Sequence, residues 1–158
     1  SWLLTEGETG ERPSDVLIGW RSIGVRPERI AAIGTIMADI ADEELGAQDI
    51  DTIVGISING ISFAHEVARC LGSEVTIYRN VEGDDGQGVL SSKYGQVSGK
   101  KVVIIDDVLS SGTTMGKTIA AIRAAGGEVG LAIVLVNKTD RNEIDGVPLR
   151  GIIRAVPV

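Results

Sequence analysis

The stretch that most limits the fold is Lys101-Val102-Val103-Ile104-Ile105-Asp106-Asp107, an unbroken apolar run ending in two adjacent carboxylates. A strand with one wet face alternates apolar and polar residues, so a continuous Val and Ile run demands a strand covered on both faces, as in parallel sheets. Asp51 to Ser57 (DTIVGIS) has the same character and passes through Asn59-Gly60 into a helical stretch from about Ser62 to Leu71. Glu74 to Arg79, Glu128 to Val136 and a short segment around Leu149 to Val156 read as further strands, and Thr113 to Ala125 reads as a helix. Arg26-Pro27-Glu28 opens an amphipathic helix along Ile30, Ile33, Met37, Ile40 and Leu45, which Gly46 ends. This alternation predicts an α/β domain: a mainly parallel sheet of about five strands, right-handed crossovers, helices on both faces and a ligand at the carboxyl ends of the strands. Glycine supports it, because 21 of the 158 residues are Gly, about twice the usual ~7%, and they fall between the apolar runs rather than in one tract.

Charge and cysteine content exclude several functions. Fifteen Lys plus Arg against 22 Asp plus Glu give a formal charge of −7, which disfavours binding to a phosphate backbone by this domain itself. One Cys and one His supply neither a disulfide framework nor an ordinary zinc site. No apolar run approaches the ~20 residues of a membrane-spanning helix and no secretory leader opens the chain, which together imply a cytoplasmic address.

The chemistry concentrates where the Val102–Ile105 run meets Asp106-Asp107-Val108-Leu109-Ser110-Ser111-Gly112-Thr113-Thr114. A Ser-Ser-Gly-Thr-Thr turn at the start of a helix aims backbone N–H groups and hydroxyls at one point, a cradle for a phosphate monoester. The two carboxylates call instead for hydroxyls or a hydrated cation. A ribose 5-phosphate satisfies both. The whole pattern resembles the phosphoribosyl pyrophosphate (PRPP) signature of the type I phosphoribosyltransferases. That resemblance implies the fold of that family with a short N-terminal hood. It gives Asp106 and Asp107 to the ribose hydroxyls, gives Ser110, Ser111, Gly112, Thr113 and Thr114 to the 5-phosphate, and has Mg²⁺ arrive with PRPP rather than on direct protein ligands. Gly112 to Thr118 also approximates a nucleotide-triphosphate loop, but it is one residue short and places Lys117 inside the helix.

A second strand-to-helix turn, Ser57-Ile58-Asn59-Gly60, resembles the family's pyrophosphate-binding loop. A third feature is a loss. Orotate phosphoribosyltransferases follow the second strand with Arg-Lys-x-x-Lys-x-His-Gly, a basic loop that neutralises the departing pyrophosphate. This chain reads Arg79-Asn80-Val81-Glu82-Gly83-Asp84-Asp85-Gly86, so Asn80, Gly83 and Asp85 stand where two Lys and the His would be. One lost charge-stabilising donor costs ~10²–10³ in rate, so losing three should cripple that mechanism. Lys93 and Lys100, in the same Gly-rich excursion over residues 80–100, are the remaining cations that could replace them. The resemblance further implies a homodimer, with Arg79 as an inter-subunit phosphate contact.

Other reactive residues read as structural. His65 lies within a helix as a packed or surface histidine, Cys70 reads as a buried small hydrophobe, and Trp2 and Trp20 precede the core. Residues 1–14 read as leader and linker ahead of a domain over residues 15–158. The chain opens without Met, which points to a fragment. Ser1-Trp2-Leu3-Leu4-Thr5 resembles the last turn of a helix-turn-helix in the archaeal orotate phosphoribosyltransferase-like transcriptional regulators. Two functions follow. One is a sensor that binds PRPP or a related phosphoribosyl or nucleotide effector and signals to a DNA-binding module outside this chain. The other is a working transferase that exchanges the pyrophosphate of PRPP for orotate or a purine base, giving the nucleoside monophosphate and free pyrophosphate.

Overall fold

The structure is a computed structural model that describes residues 2–4, 26–80, 88–91 and 95–157. In chain order the elements are β1 (Trp2–Leu4), α1 (Pro27–Leu45), β2 (Thr52–Ile56), α2 (Gly60–Leu71), β3 (Glu74–Arg79), β4 (Val89–Leu90), β5 (Lys101–Leu109), α3 (Thr113–Ala124), β6 (Glu128–Asn137), β7 (Glu143–Ile144) and β8 (Val147–Pro157). Strand order in the sheet is β1-β8-β6-β5-β2-β3-β4, with β7 paired to β8. The five long strands β8, β6, β5, β2 and β3 run parallel, as the buried apolar runs predict. Three short strands add antiparallel partners: β4 beside β3, β7 beside β8 and β1 beside β8. Strands of two or three residues carry no readable periodicity, which is why the sequence left them unmarked.

Trp2–Leu4 departs from its reading as the end of a helical module. These residues form an edge strand, pairing Leu3 with Val156, so they belong to this sheet. Three residues cannot distinguish a helix end from a strand, and the partner at the far end of the chain decides. Trp20 and the expected hood lie outside the described residues.

Alternation along the central strands divides the core between two faces. Ile53, Val103, Ile105, Leu131 and Ile133 pack under α1 and α2 with Met37, Ala41, Phe63, Ala64 and Val67. Val54, Val102, Ile104, Ala132 and Val134 pack under α3 with Met115, Ile119 and Ile122. Both faces are thus covered, which is why no polar residue interrupts β5 between Lys101 and Asp106 or β6 between Glu128 and Asn137. Gly55 lets α2 lie directly on β2, since a Cβ there would stand 2.8 Å from the Ala64 Cβ.

Cys70 is exposed rather than buried. The buried stripe of α2 runs through Phe63, Ala64, Val67 and Ala68, and Cys70 sits at its edge, its Sγ 3.9 Å from the Thr35 hydroxyl of α1. His65 is exposed, as a surface histidine should be. Lys117 lies within α3, so the triphosphate-loop reading has no lysine at its turn.

Candidate functional site

The carboxyl ends of β2 and β5, with the turns that follow them, meet in one cleft lined by Ser57, Ile58, Asn59, Asn80, Asp106, Asp107, Ser110, Ser111, Gly112 and Thr114. Ile56, Val108, Leu109 and Met115 complete it. Parallel pairing explains the meeting. Gly55 stands opposite Ile105, so β2 ends level with the Asp106 and Asp107 carboxylates of β5, and both parallel strands release their turns at the same edge of the sheet.

Close packing holds the turns against each other. A Cβ on Gly60 would lie 2.6 Å from the Ile105 carbonyl oxygen and 3.2 Å from Asp106 Oδ1, so only glycine allows the start of α2 to abut β5 at the carboxylates. The Ser57–Ile58 peptide bond is cis. Ser57 ties its turn to β3: its N–H donates to the Tyr78 carbonyl at 2.9 Å, and its hydroxyl oxygen accepts the Asn80 N–H at 3.0 Å. Ile58, 80% exposed, stands at the mouth of the cleft.

The carboxylates lie at the cleft floor. Asp106 Oδ1 accepts the Asp107 N–H at 2.8 Å, and Asp107 Oδ1 accepts the Val108 N–H at 2.7 Å, which orients both groups. Burial, then the neighbouring Asp107 charge and hydrogen bonding with it, hold the Asp106 carboxyl well above the usual carboxylate range. A ligand that offers hydroxyl donors to this carboxylate, or brings a cation to it, relieves that penalty. At the other end, Gly112 turns the chain with φ +87° into α3. Ser111 Oγ donates to the Thr113 hydroxyl at 3.0 Å and accepts the Thr113 N–H at 3.3 Å, bracing the turn beside the positive end of the helix.

The sequence-derived residues fall into three groups. Asp106, Asp107, Ser110, Ser111, Gly112, Thr114, Ser57, Ile58 and Asn59 line the cleft. Gly60 is buried beneath it, and Thr113 is exposed with its hydroxyl on Ser111. Arg79 is exposed at the end of β3 and is not among the lining residues. Lys100 does not substitute for the missing basic loop: its Nζ pairs with Glu74 at 2.6 Å, at the amino-terminal end of β3 and away from the cleft. Lys93 and residues 81–87 lie outside the described residues.

One lining residue and one neighbour of the turn escaped the sequence reading. Asn80, singled out as a lost lysine, lines the cleft itself. Arg141 reaches the Ser110–Thr114 turn from the loop after β6, its Nη1 3.1 Å from where a Gly112 Cβ would stand, although it is not itself among the lining residues. No local spacing signals that approach, because it depends on the parallel pairing of β5 and β6.

A parallel sheet whose strand ends offer two carboxylates beside a Ser/Thr-rich helix start is the arrangement of an α/β protein with the type I phosphoribosyltransferase fold. The chain belongs to the phosphoribosyltransferase family: the phosphoribosyl transferase domain model matches residues 19–156. It is 43% identical over 157 residues to the transcriptional regulator GfcR of Thermoplasma acidophilum, covering 98% of this chain and 79% of that protein. GfcR of Picrophilus torridus is also 43% identical, over 161 residues, covering 100% of this chain and 82% of the relative. The fold is shared with Mycobacterium tuberculosis orotate phosphoribosyltransferase, solved in complex with PRPP, at TM-score 0.68 and 17% identity over 84% of this chain and 77% of that one. The resemblance to orotate phosphoribosyltransferase-like regulators is therefore borne out at the level of family and fold.

Proposed function

We propose that this domain binds PRPP, or a related phosphoribosyl or nucleotide effector, as the sensing part of a transcriptional regulator. The observation that carries the reading is the single cleft in which Asp106 and Asp107 stand between the Ser110–Thr114 phosphate turn and the Ser57–Gly60 turn. A ligand with phosphate at one end, ribose hydroxyls in the middle and pyrophosphate at the other has a partner group in each of these three parts. In this reading Asp106 and Asp107 take the ribose hydroxyls, Ser110 to Thr114 the 5-phosphate, and Ser57 to Gly60 the pyrophosphate. The pair of adjacent carboxylates Asp106 and Asp107 suits magnesium carried in by the ligand. Mg²⁺ would neutralise the pyrophosphate while the two carboxylates orient the sugar.

Regulation is the better reading of the output. The relatives at 43% identity are named transcriptional regulators, and the loop after β3 carries Asn80, Gly83 and Asp85 in place of the orotate enzymes' cations. DNA contact belongs to a module outside these residues, consistent with the net charge of −7. The working unit in this reading is a cytoplasmic homodimer, with Arg79 directed to the ligand of the partner subunit. Among the described residues no helix is long and apolar enough to cross a membrane. The complete phosphate turn favours one second reading, an active transferase. Pyrophosphate release from Mg²⁺–PRPP, measured with orotate, uracil, adenine, guanine, hypoxanthine and xanthine, separates the two. Sensing predicts PRPP binding without turnover, and turnover with any one base at an enzyme-like rate overturns it.

A further inference from the structure

We propose that Arg141 is a further ligand-binding residue of this cleft, supplying a full positive charge to the phosphate monoester held at the Ser110–Thr114 turn. The inference rests on the phosphate-binding reading and adds a cation to it. Arg141 stands in a loop built from a buried anchor. Asn137, 1% exposed at the end of β6, donates its amide N–H to the Arg141 carbonyl at 3.0 Å. Its Oδ1 accepts the backbone N–H and the hydroxyl of Thr139 at 2.9 Å and 2.7 Å. The Thr139 hydroxyl oxygen in turn accepts the Arg141 N–H at 3.1 Å, and the Arg154 guanidinium donates to Asn142 Oδ1 at 2.6 Å. The Arg141 backbone is thus pinned at both its N–H and its carbonyl.

The guanidinium is directed at the turn. Its Nη1 occupies the space beside Gly112, 3.1 Å from where a Cβ would sit, so that glycine serves the approach of Arg141 as well as its own φ of +87°. Among the described residues no carboxylate pairs with Arg141. The turn brings only hydroxyls and the partial charges of backbone dipoles, and it adjoins the Asp106 and Asp107 carboxylates. A phosphate dianion placed there needs a formal cation, and a planar guanidinium answers it with paired donors. Lys117, the one cation on the first half of α3, lies a full turn along the helix from the Ser110–Thr114 turn, whereas Arg141 reaches Gly112 itself.

Titration calorimetry of wild type, Arg141→Gln and Arg141→Lys with ribose 5-phosphate, pyrophosphate and PRPP tests the assignment. Arg141→Gln should weaken ribose 5-phosphate and PRPP about ten- to a hundredfold, the loss of a charge-assisted contact, and flatten the salt dependence of both. Pyrophosphate should stay within about twofold, and Arg141→Lys should recover part of the loss because it keeps the charge without the fork. Because the side chain is exposed, thermal stability should not move. Unchanged ribose 5-phosphate affinity in Arg141→Gln overturns the inference, and so does a loss seen only with pyrophosphate or only with a base-bearing nucleotide. Wild type that binds none of the three probes overturns the underlying phosphate reading instead.

Discussion

Replacing Gly60 with alanine should separate the two turns that make the cleft. The new Cβ would stand 2.6 Å from the Ile105 carbonyl oxygen and 3.1 Å from the Asp106 Cα, both backbone atoms of the central strand β5. Neither can yield, so the start of α2 must retreat by roughly 1 Å to restore ordinary contact near 3.5 Å. Overpacking of this kind costs ~1–3 kcal/mol, and each kcal/mol lowers the melting temperature of a chain this size by roughly 2–4 °C. Gly72 supplies the matched control. Its φ of +70° makes Gly72→Ala unfavourable by ~1–2 kcal/mol, yet nothing lies within 4 Å of the added Cβ and the residue is remote from the cleft. Both variants should therefore melt lower by similar amounts, while PRPP affinity by titration falls at least about tenfold only in Gly60→Ala. A destabilised Gly60→Ala protein with wild-type PRPP affinity would refute the claim that the contact between α2 and β5 builds the site.

Asp106→Asn should weaken PRPP about tenfold or more in calorimetry with the fold retained, because an amide cannot accept from the ribose hydroxyls at both positions; unchanged affinity removes Asp106 from the site. The same variant tests the raised Asp106 pKa. The folded state holds this proton to a higher pH than the unfolded chain, so stability falls as pH rises from the ordinary aspartate value, about 4, through the raised one. Urea melts should show Asp106→Asn gaining on wild type as pH goes from about 4 to 7, and a pH-independent difference would contradict burial as the cause. For catalysis, the double variant Gly83→Lys with Asp85→His should raise base-dependent pyrophosphate release, and no gain would refute the charge argument about the loop after β3.

Most of the architecture was legible because its causes are local. The Val and Ile runs at Thr52–Ile56, Lys101–Leu109 and Glu128–Asn137 need cover on both faces, and the alternation of such runs with amphipathic stretches is itself a parallel sheet with helices above and below. The Ser110–Thr114 turn was legible for the same reason, since it and the helix it opens are contiguous in the chain. Less was readable wherever a few residues take their state from a distant partner. Trp2–Leu4 becomes a strand only because the end of β8 offers an edge, and Val89–Leu90 because β3 does. The Asp145-Gly146 turn, with φ of 50° and 82°, carried a hairpin signal that was available and went unread.

Sequence alone therefore determined the family, the parallel core and the chemical character of the two turns, because residue type and short-range order dictate each of them. Tertiary structure decided what those turns do together. It set the start of α2 against the Asp106 carboxylate through Gly60, withdrew Lys100 to Glu74 at the far end of the sheet, left Cys70 in solvent, and brought Arg141 beside Gly112. Each of these depends on which strands lie side by side and where they end, a relation between segments that no single segment carries.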